Sequence, residues 1–256
     1  MPGRATPDAA VEQANPDNPG AWPVAVPFVG GELPVVEGRI DGRPVRLLID
    51  TGASATIVSA LLIGATNASG VRLRELCLGA LCLPGRRAWA ADTPFSRPEP
   101  GAINGIVGID PLREFIVELD HDRALVLGHA PVHCGQAPEA VTFDDDGRPY
   151  LPARFDDHAL GQVLLDSGSV YTLLTMEAAA QAPYLGQRAT STGACSIHGC
   201  TDTGSFLSTA QRFCAGQTCL DDVPVKYPAW NAVGFSFLRR LHTVLDLQAA
   251  TVALCP

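Results

Sequence analysis

The sequence predicts an all-β protein of two pseudo-symmetric, barrel-like lobes with a few short helices. Three observations carry that expectation. Apolar and polar residues alternate with a period of two, as in ELPVVEGRIDGRPVRLLIDTG (32–52). Gly (25) and Pro (21) are frequent among 256 residues, which favours short strands and turns over long helices. Two segments 126 residues apart repeat one another, so the chain reads as a duplicated unit.

Residues 1–22 are polar and Pro-rich, and are expected to form a disordered linker. Residues 23–130 are the expected first lobe, 131–137 a connector and 138–256 the second lobe. The stretch at 32–52 reads as a hairpin turning at Asp41-Gly42, a dipeptide suited to a tight hairpin turn. Its counterpart is YLPARFDDHALGQVLLDSG (150–168), turning near Asp156 and Asp157. GIVGIDPLREFIVELDHDRALVLG (105–128) aligns without a gap to NAVGFSFLRRLHTVLDLQAATVAL (231–254), with eight identities in 24 positions. Val107, Gly108, Leu112, Arg113, Leu119, Asp120, Ala124 and Val126 recur as Val233, Gly234, Leu238, Arg239, Leu245, Asp246, Ala250 and Val252. Each copy reads as strand, glycine, one helical turn and a hairpin. TMEAAAQA (175–182) is a candidate short helix.

Charge and hydropathy remove several classes. The net charge of −9, with no basic cluster, argues against a nucleic-acid partner. No apolar run approaches the roughly 20 residues of a membrane-spanning helix. The eight cysteines are even in number, and three pairs share a C-x4-C spacing: Cys77/Cys82, Cys195/Cys200 and Cys214/Cys219. Zinc sites favour tighter pairs with histidine nearby, and His198 finds no second pair to complete such a site. Four intervening residues suit a disulfide across a hairpin, which leaves Cys134 with Cys255. Disulfides imply an exported protein, periplasmic or extracellular. The first residues lack an apolar signal core, so the signal or anchor is expected to lie outside this sequence.

Two acids stand in the same unusual setting. LLIDTGASATIVS (47–59) and VLLDSGSVYTLL (163–174) each run from an apolar strand into Asp, a hydroxyl residue, Gly and a small residue. Either Asp alone reads equally as the opening of a surface turn. The pair in matching places of a duplication points instead to Asp50 and Asp166 meeting at a pseudo-twofold axis. Two adjoining carboxylates share a proton, so one serves as general base and the other as general acid. Gly52 and Gly168 allow a tight turn with amides aimed at the carboxylates. Thr51 and Ser167 carry hydroxyls placed to lock the two loops. Ser54 and Ser169 are placed to bond the outer carboxylate oxygens.

LLIDTGAS and VLLDSGS resemble the paired active-site motifs of the pepsin and retropepsin families of aspartic proteases, in a compact, single-chain, two-lobed, bacterial-type form. IVG (106–108) and AVG (232–234) resemble the hydrophobic-hydrophobic-Gly element beneath each catalytic loop there. The resemblance implies a pepsin-like fold, Asp50 and Asp166 as the dyad, water as nucleophile, and a peptide or unfolded protein cleaved between apolar side chains. It implies no metal and no cofactor. With both acids in one chain, a monomer is expected.

The sequence departs from that family in one respect. Asp50 to Cys77 spans 27 residues and Asp166 to Cys214 spans 48, so the second half has 21 extra residues where a flap would lie. The flap is therefore expected in the second half, with Ser196, Ile197, His198 and Gly199 at its tip; an ordinary disulfide-closed surface loop is the other reading. PGRRAWAADTPFSRPEPGAIN (84–104) is too Pro-rich for a helix, and Trp89 and Phe95 either line the cleft or cover the core. Two rival classes remain. A catalytically silent peptide binder or inhibitor-like protein on the same fold would be expected to have lost an acid motif, and both are intact. A structural exported β-domain leaves the pairing unexplained.

Overall fold

The computed structural model describes residues 22–65, 69–91, 101–130, 134–156, 158–180, 188–196, 199–227 and 230–256. For residues 179, 188–196 and 199–205 it describes the backbone alone. The first half contains strands β1 (Val24–Pro27), β2 (Val35–Ile40), β3 (Arg43–Ile49) and β4 (Ile57–Ser59), then helix α1 (Ala60–Ile63). Strands β5 (Ser69–Arg72), β6 (Glu75–Leu78), β7 (Leu81–Pro84), β8 (Arg87–Ala91) and β9 (Gly105–Val107) follow. Helix α2 (Ile109–Leu112), β10 (Ile116–Asp120) and β11 (Ala124–Gly128) end that half.

The second half repeats the plan. It runs β12 (Glu139–Ala140), β13 (Thr142–Phe143), β14 (Pro149–Phe155), β15 (His158–Leu165), β16 (Thr172–Leu173) and helix α3 (Met176–Ala180). Then come β17 (Arg188–Ser196), β18 (Gly199–Ala215), β19 (Thr218–Lys226), β20 (Ala232–Val233), helix α4 (Phe235–Leu238), β21 (His242–Asp246) and β22 (Thr251–Cys255).

Each half builds a sheet around the strand that leads into its acid. The first has the order β5-β8-β4-β9-β3-β2-β6-β7, and the second β13-β14-β15-β20-β16-β19-β18-β17. In both, the strand before the acid (β3 or β15) runs parallel to the strand of the hydrophobic-hydrophobic-Gly element (β9 or β20). The β2–β3 hairpin turns at Asp41 and Gly42, with φ of 51° and 82°, as the Asp-Gly dipeptide favours. In its counterpart Asp156 has φ of 42°, and Asp157 lies outside the described residues.

The C-x4-C pairs mark equivalent hairpins. Cys77 faces Cys82 across β6–β7, Cys214 faces Cys219 across β18–β19, and both pairs are disulfides. Extra chain in the second half forms a long two-stranded ribbon of β17 and the start of β18, in register from Arg188–Leu207 to Ser196–Gly199. Cys195 and Cys200 stand opposite one another in its backbone register, and their side chains lie outside the description.

The terminal hairpins depart from the sequence expectation, which kept each within its own half. They combine into one six-stranded sheet, β1-β11-β10-β21-β22-β12. The cause is burial on both faces. Val117, Leu119 and Leu245 face the main core, whereas Ile116, Val244, Ala253 and Cys255 pack on the opposite side with Cys134. A hairpin apolar on both faces cannot be covered by its own half alone. At the centre of the β10–β21 pairing, Glu118 lies opposite Val244, its own counterpart at the repeat offset. Glu118 is buried and bonded to His242 Nε2 at 2.9 Å.

The Cys134–Cys255 disulfide spans 121 residues and ties the connector to the last strand of the shared sheet. Disulfides suit an oxidising, exported environment. Among the described residues no helix is long and apolar enough to cross a membrane. A loop of this length gives about 4–5 kcal/mol by the chain-entropy treatment. The double variant Cys134→Ser, Cys255→Ser is therefore expected to lose stability of that order in urea titration, well beyond the loss from opening the five-residue Cys77–Cys82 separation.

Candidate active site

Strand period dictates the local arrangement. Ile49 and Leu165 point into the main core. The residues on either side of each therefore face the other way, which places Leu48 with Asp50, and Leu164 with Asp166. Leu48 belongs to a small apolar cluster with Val35, Ile57, Ala91 and Ile106. Leu164 belongs to its counterpart with Leu173 and Ala232, against which Tyr150 and Tyr171 pack. Two apolar surfaces thus flank two acids.

The acids meet: the Asp50 and Asp166 carboxyls are hydrogen-bonded to each other. The loops that carry them are joined by four bonds. Thr51 N–H donates to Ser167 Oγ at 3.1 Å, and Ser167 N–H donates to Thr51 Oγ1 at 3.0 Å. Thr51 Oγ1 donates across to Leu165 O at 2.6 Å, and Ser167 Oγ donates to Ile49 O at 2.8 Å. Thr51 and Ser167 are 1% and 0% exposed, so these bonds operate away from water.

The two glycines act through space more than through turn conformation, since neither has a positive φ. A Cβ on Gly52 would stand 2.7 Å from Asp166 Cγ and Oδ1, and one on Gly168 would overlap the Asp50 carboxyl. Their amides do address the acids. Gly52 N–H donates to Asp50 Oδ1 at 2.8 Å, and the Gly168 and Ser169 amides bond the Asp166 carboxyl. Ser169 differs from expectation: its hydroxyl donates to Tyr171 O at 2.9 Å, while its amide reaches Asp166 Oδ1 at 3.1 Å. Ser54 is half-buried and donates to neither carboxyl among the hydrogen bonds of the described residues.

Behind each loop lies its glycine element. Asp50 N–H donates to Val107 O and Asp166 N–H to Val233 O, both at 3.0 Å. Cβ atoms at Gly108 and Gly234 would collide with the backbone of Ala55 and Tyr171, so only glycine lets the strands come this close. A second brace was not singled out in the sequence. Thr56 Oγ1 donates to Asp110 Oδ1 at 2.7 Å, and Ser236 Oγ accepts from Thr172 N–H at 2.8 Å. Asp110 and Ser236 are aligned in the gapless repeat, so the alignment already held that signal.

Electrostatics separate the two carboxyls. Burial raises Asp166 well above its ordinary 3.8, and the charge of Asp50 and the bond between them raise it further. Burial raises Asp50 as well, opposed by hydrogen bonds from the Gly52 amide, Asp166 and the Ala53 amide, and by the charge of Arg148. Both carboxyls are raised, so the pair holds a shared proton into a range where a lone carboxyl would have lost its own.

The remaining sequence candidates are less concentrated. Of the flap residues, Ile197 and His198 lie outside the described residues, and Ser196 and Gly199 end the two ribbon strands. Trp89 sits on β8 and is 41% exposed, while Phe95 lies outside the described residues.

No family model matches the chain, and no curated protein matches it. Among solved structures, basic 7S globulin from soybean superposes with a TM-score of 0.53 at 14% identity, covering 91% of this chain and 94% of its own. The fold is pepsin-like. A retropepsin-like aspartic protease from Rickettsia conorii also matches, at 14% identity and a TM-score of 0.33, covering 42% of this chain and 90% of its own.

Two outcomes follow from this geometry. Ser167→Ala strands the buried Thr51 N–H and should cost about 1–3 kcal/mol in denaturant titration. Asp166 is raised in the folded state, so wild-type stability falls as pH climbs from its ordinary 3.8 through the raised value. Asp166→Asn stays neutral and escapes that loss. Its melting temperature should exceed wild type near about pH 7 and converge with it near about pH 3.

Proposed function

We propose that this protein is an aspartic endopeptidase that hydrolyses peptide bonds with a water molecule activated by Asp50 and Asp166. The observation that carries the reading is the pair of half-buried carboxyls brought together on two loops locked by Thr51 and Ser167. Ionised Asp50 takes a proton from water as the oxygen attacks the peptide carbonyl carbon. Protonated Asp166 gives its proton to the carbonyl oxygen, forming a neutral diol. In breakdown, Asp50 passes its proton to the amide nitrogen, a diol hydroxyl returns a proton to Asp166, and the C–N bond breaks. No group beyond the two acids and water is needed to balance these steps.

The apolar clusters around Leu48 and Leu164 flank the acids and support a preference for apolar residues around the scissile bond. The β17–β18 ribbon is the proposed lid, since it occupies the chain that the second half has in excess. A lid excludes water and holds the substrate backbone over the acids. Both acids belong to one chain, so the proposed active form is a monomer, exported through an oxidising compartment. Nothing in the proposed reaction calls for nucleic acid or metal.

The rival reading is a catalytically silent peptide binder on the same fold. An acidic digest of a peptide library separates the two. Wild type should cleave; Asp50→Asn and Asp166→Asn should each lower kcat/KM by at least about 10³-fold while remaining folded at the acidic pH of the digest, since a lone carboxylate cannot be base and acid at once. Peptide binding without cleavage by wild type would select the rival, and near-normal turnover by either variant would remove the dyad.

A further inference from the structure

An arginine faces a C-x4-C pair in both halves, but the two arginines stand differently toward the sulfurs. Arg39 on β2 lies opposite Cys77 on β6, and Arg154 on β14 lies opposite Cys214 on β18. In the first half, one terminal nitrogen of Arg39 donates to Cys82 Sγ at 3.5 Å and to Cys77 Sγ at 3.8 Å. In the second half, Arg154 is exposed and donates to neither sulfur among the hydrogen bonds of the described residues. The strands differ as well. Strand β7, which carries Cys82, is the last of its sheet, whereas β18 and β19 have neighbours on both sides.

A disulfide is exchanged when a thiolate attacks one sulfur and the other leaves as a thiolate. The rate depends on access to the first sulfur and on the stability of the second. Cys82 is half-buried on an edge strand, so its sulfur is the one open to attack. Cys77 is 0% exposed, and a thiolate left there is costly unless a cation meets it. Arg39 is that cation. Glu75 opposes it, since its carboxylate oxygen lies within 4.8 Å of both sulfurs and has no proton to donate to a thiolate. In the second half Arg212 takes the place of Glu75, its amide bonded to Asp156 as that of Glu75 is to Asp41. The Arg212 guanidinium lies 4.0 Å from Asp221 and is 61% exposed, so solvent and that acid screen it. The Cys77–Cys82 bond also holds little in place. It closes a separation of five residues against 121 for Cys134–Cys255, and the β2–β6 and β6–β7 ladders remain when it opens.

We propose that Cys77–Cys82 is a thiol–disulfide exchange site that takes electrons from a dithiol, with Arg39 receiving the leaving thiolate. The thiolate of the dithiol attacks Cys82 Sγ. The bond between Cys82 and Cys77 breaks, and its electron pair leaves on Cys77 Sγ beside the Arg39 guanidinium. The second thiol of the reductant loses its proton and attacks its own sulfur in the mixed disulfide, which releases Cys82 as a thiolate. The dithiol ends as an internal disulfide, and the two protons it has lost end on Cys77 and Cys82. Reduction leaves the hairpin paired and furnishes it with two thiols. This site is separate from the acid pair and does not depend on proteolysis.

The test is the rate at which each bridge opens in the folded protein. Dithiothreitol is the dithiol, new thiols are trapped with N-ethylmaleimide, and the label is read on tryptic peptides 75–86 and 213–226, each of which holds one whole C-x4-C pair. In wild type, peptide 75–86 should be labelled at least about tenfold faster than peptide 213–226. Arg39→Leu should slow it to the rate of 213–226, Arg39→Lys should recover part of the difference, and Glu75→Gln should exceed wild type. Far-ultraviolet circular dichroism should stay unchanged while 75–86 is fully reduced. Equal rates for the two peptides in wild type, or an unchanged rate in folded Arg39→Leu, would overturn the proposal. Loss of the fold in step with the labelling of 75–86 would overturn it too, by showing the bridge to be structural. If Arg39→Leu does not fold, Arg39→Gln keeps a polar side chain without the charge and decides the matter in the same way.

Discussion

The contact between the Asp50 and Asp166 carboxyls is opposed by its own electrostatics, because both groups become anionic as pH rises. What keeps them together is the reciprocal bonding of Thr51 and Ser167 beneath them. Each hydroxyl both accepts an amide from the other loop and donates to a carbonyl of the other strand. Four buried bonds leave no alternative partner for any of these groups, so separating the loops would strand all of them at once. The glycines and the hydrophobic-hydrophobic-Gly strands follow from the same demand, since a loop locked this tightly has no room for a Cβ above or below it.

Much of this arrangement was legible in the sequence because the relevant signals are short in range or doubled. Period-two alternation and the Asp-Gly dipeptide mark the β2–β3 hairpin. The duplicated setting of Asp50 and Asp166 marks the site, and the C-x4-C spacing marks two equivalent hairpins. The terminal hairpins were misplaced for a physical reason. Their alternation records which residues are covered, and carries nothing about which surface covers them. Ser169 was misjudged because a hydroxyl two residues from a free carbonyl has a local partner that spacing from the acid does not reveal.

The molecule is also unevenly symmetric. The strands around the acids repeat closely, down to the bonds that the Asp50 and Asp166 backbone N–H groups donate to Val107 O and Val233 O. Divergence collects at the edges of the repeat: the ribbon of the second half, and the polar Tyr150 and Tyr171 against an aliphatic cluster. The constant part holds the two acids together, and the variable part differs between the halves.

The pairing of Glu118 with Val244 has a consequence for origin. A strand that meets its own copy, antiparallel and centred on equivalent residues, is what two identical subunits make across a twofold axis. In such a dimer every change would appear twice, and a buried glutamate on the axis would face another glutamate. Joining the copies in one chain lifts that rule. Glu118 can then be matched with an aliphatic residue and find its bond at His242. Covalent fusion thus converts a structure obliged to be even-handed into one whose halves can differ residue by residue.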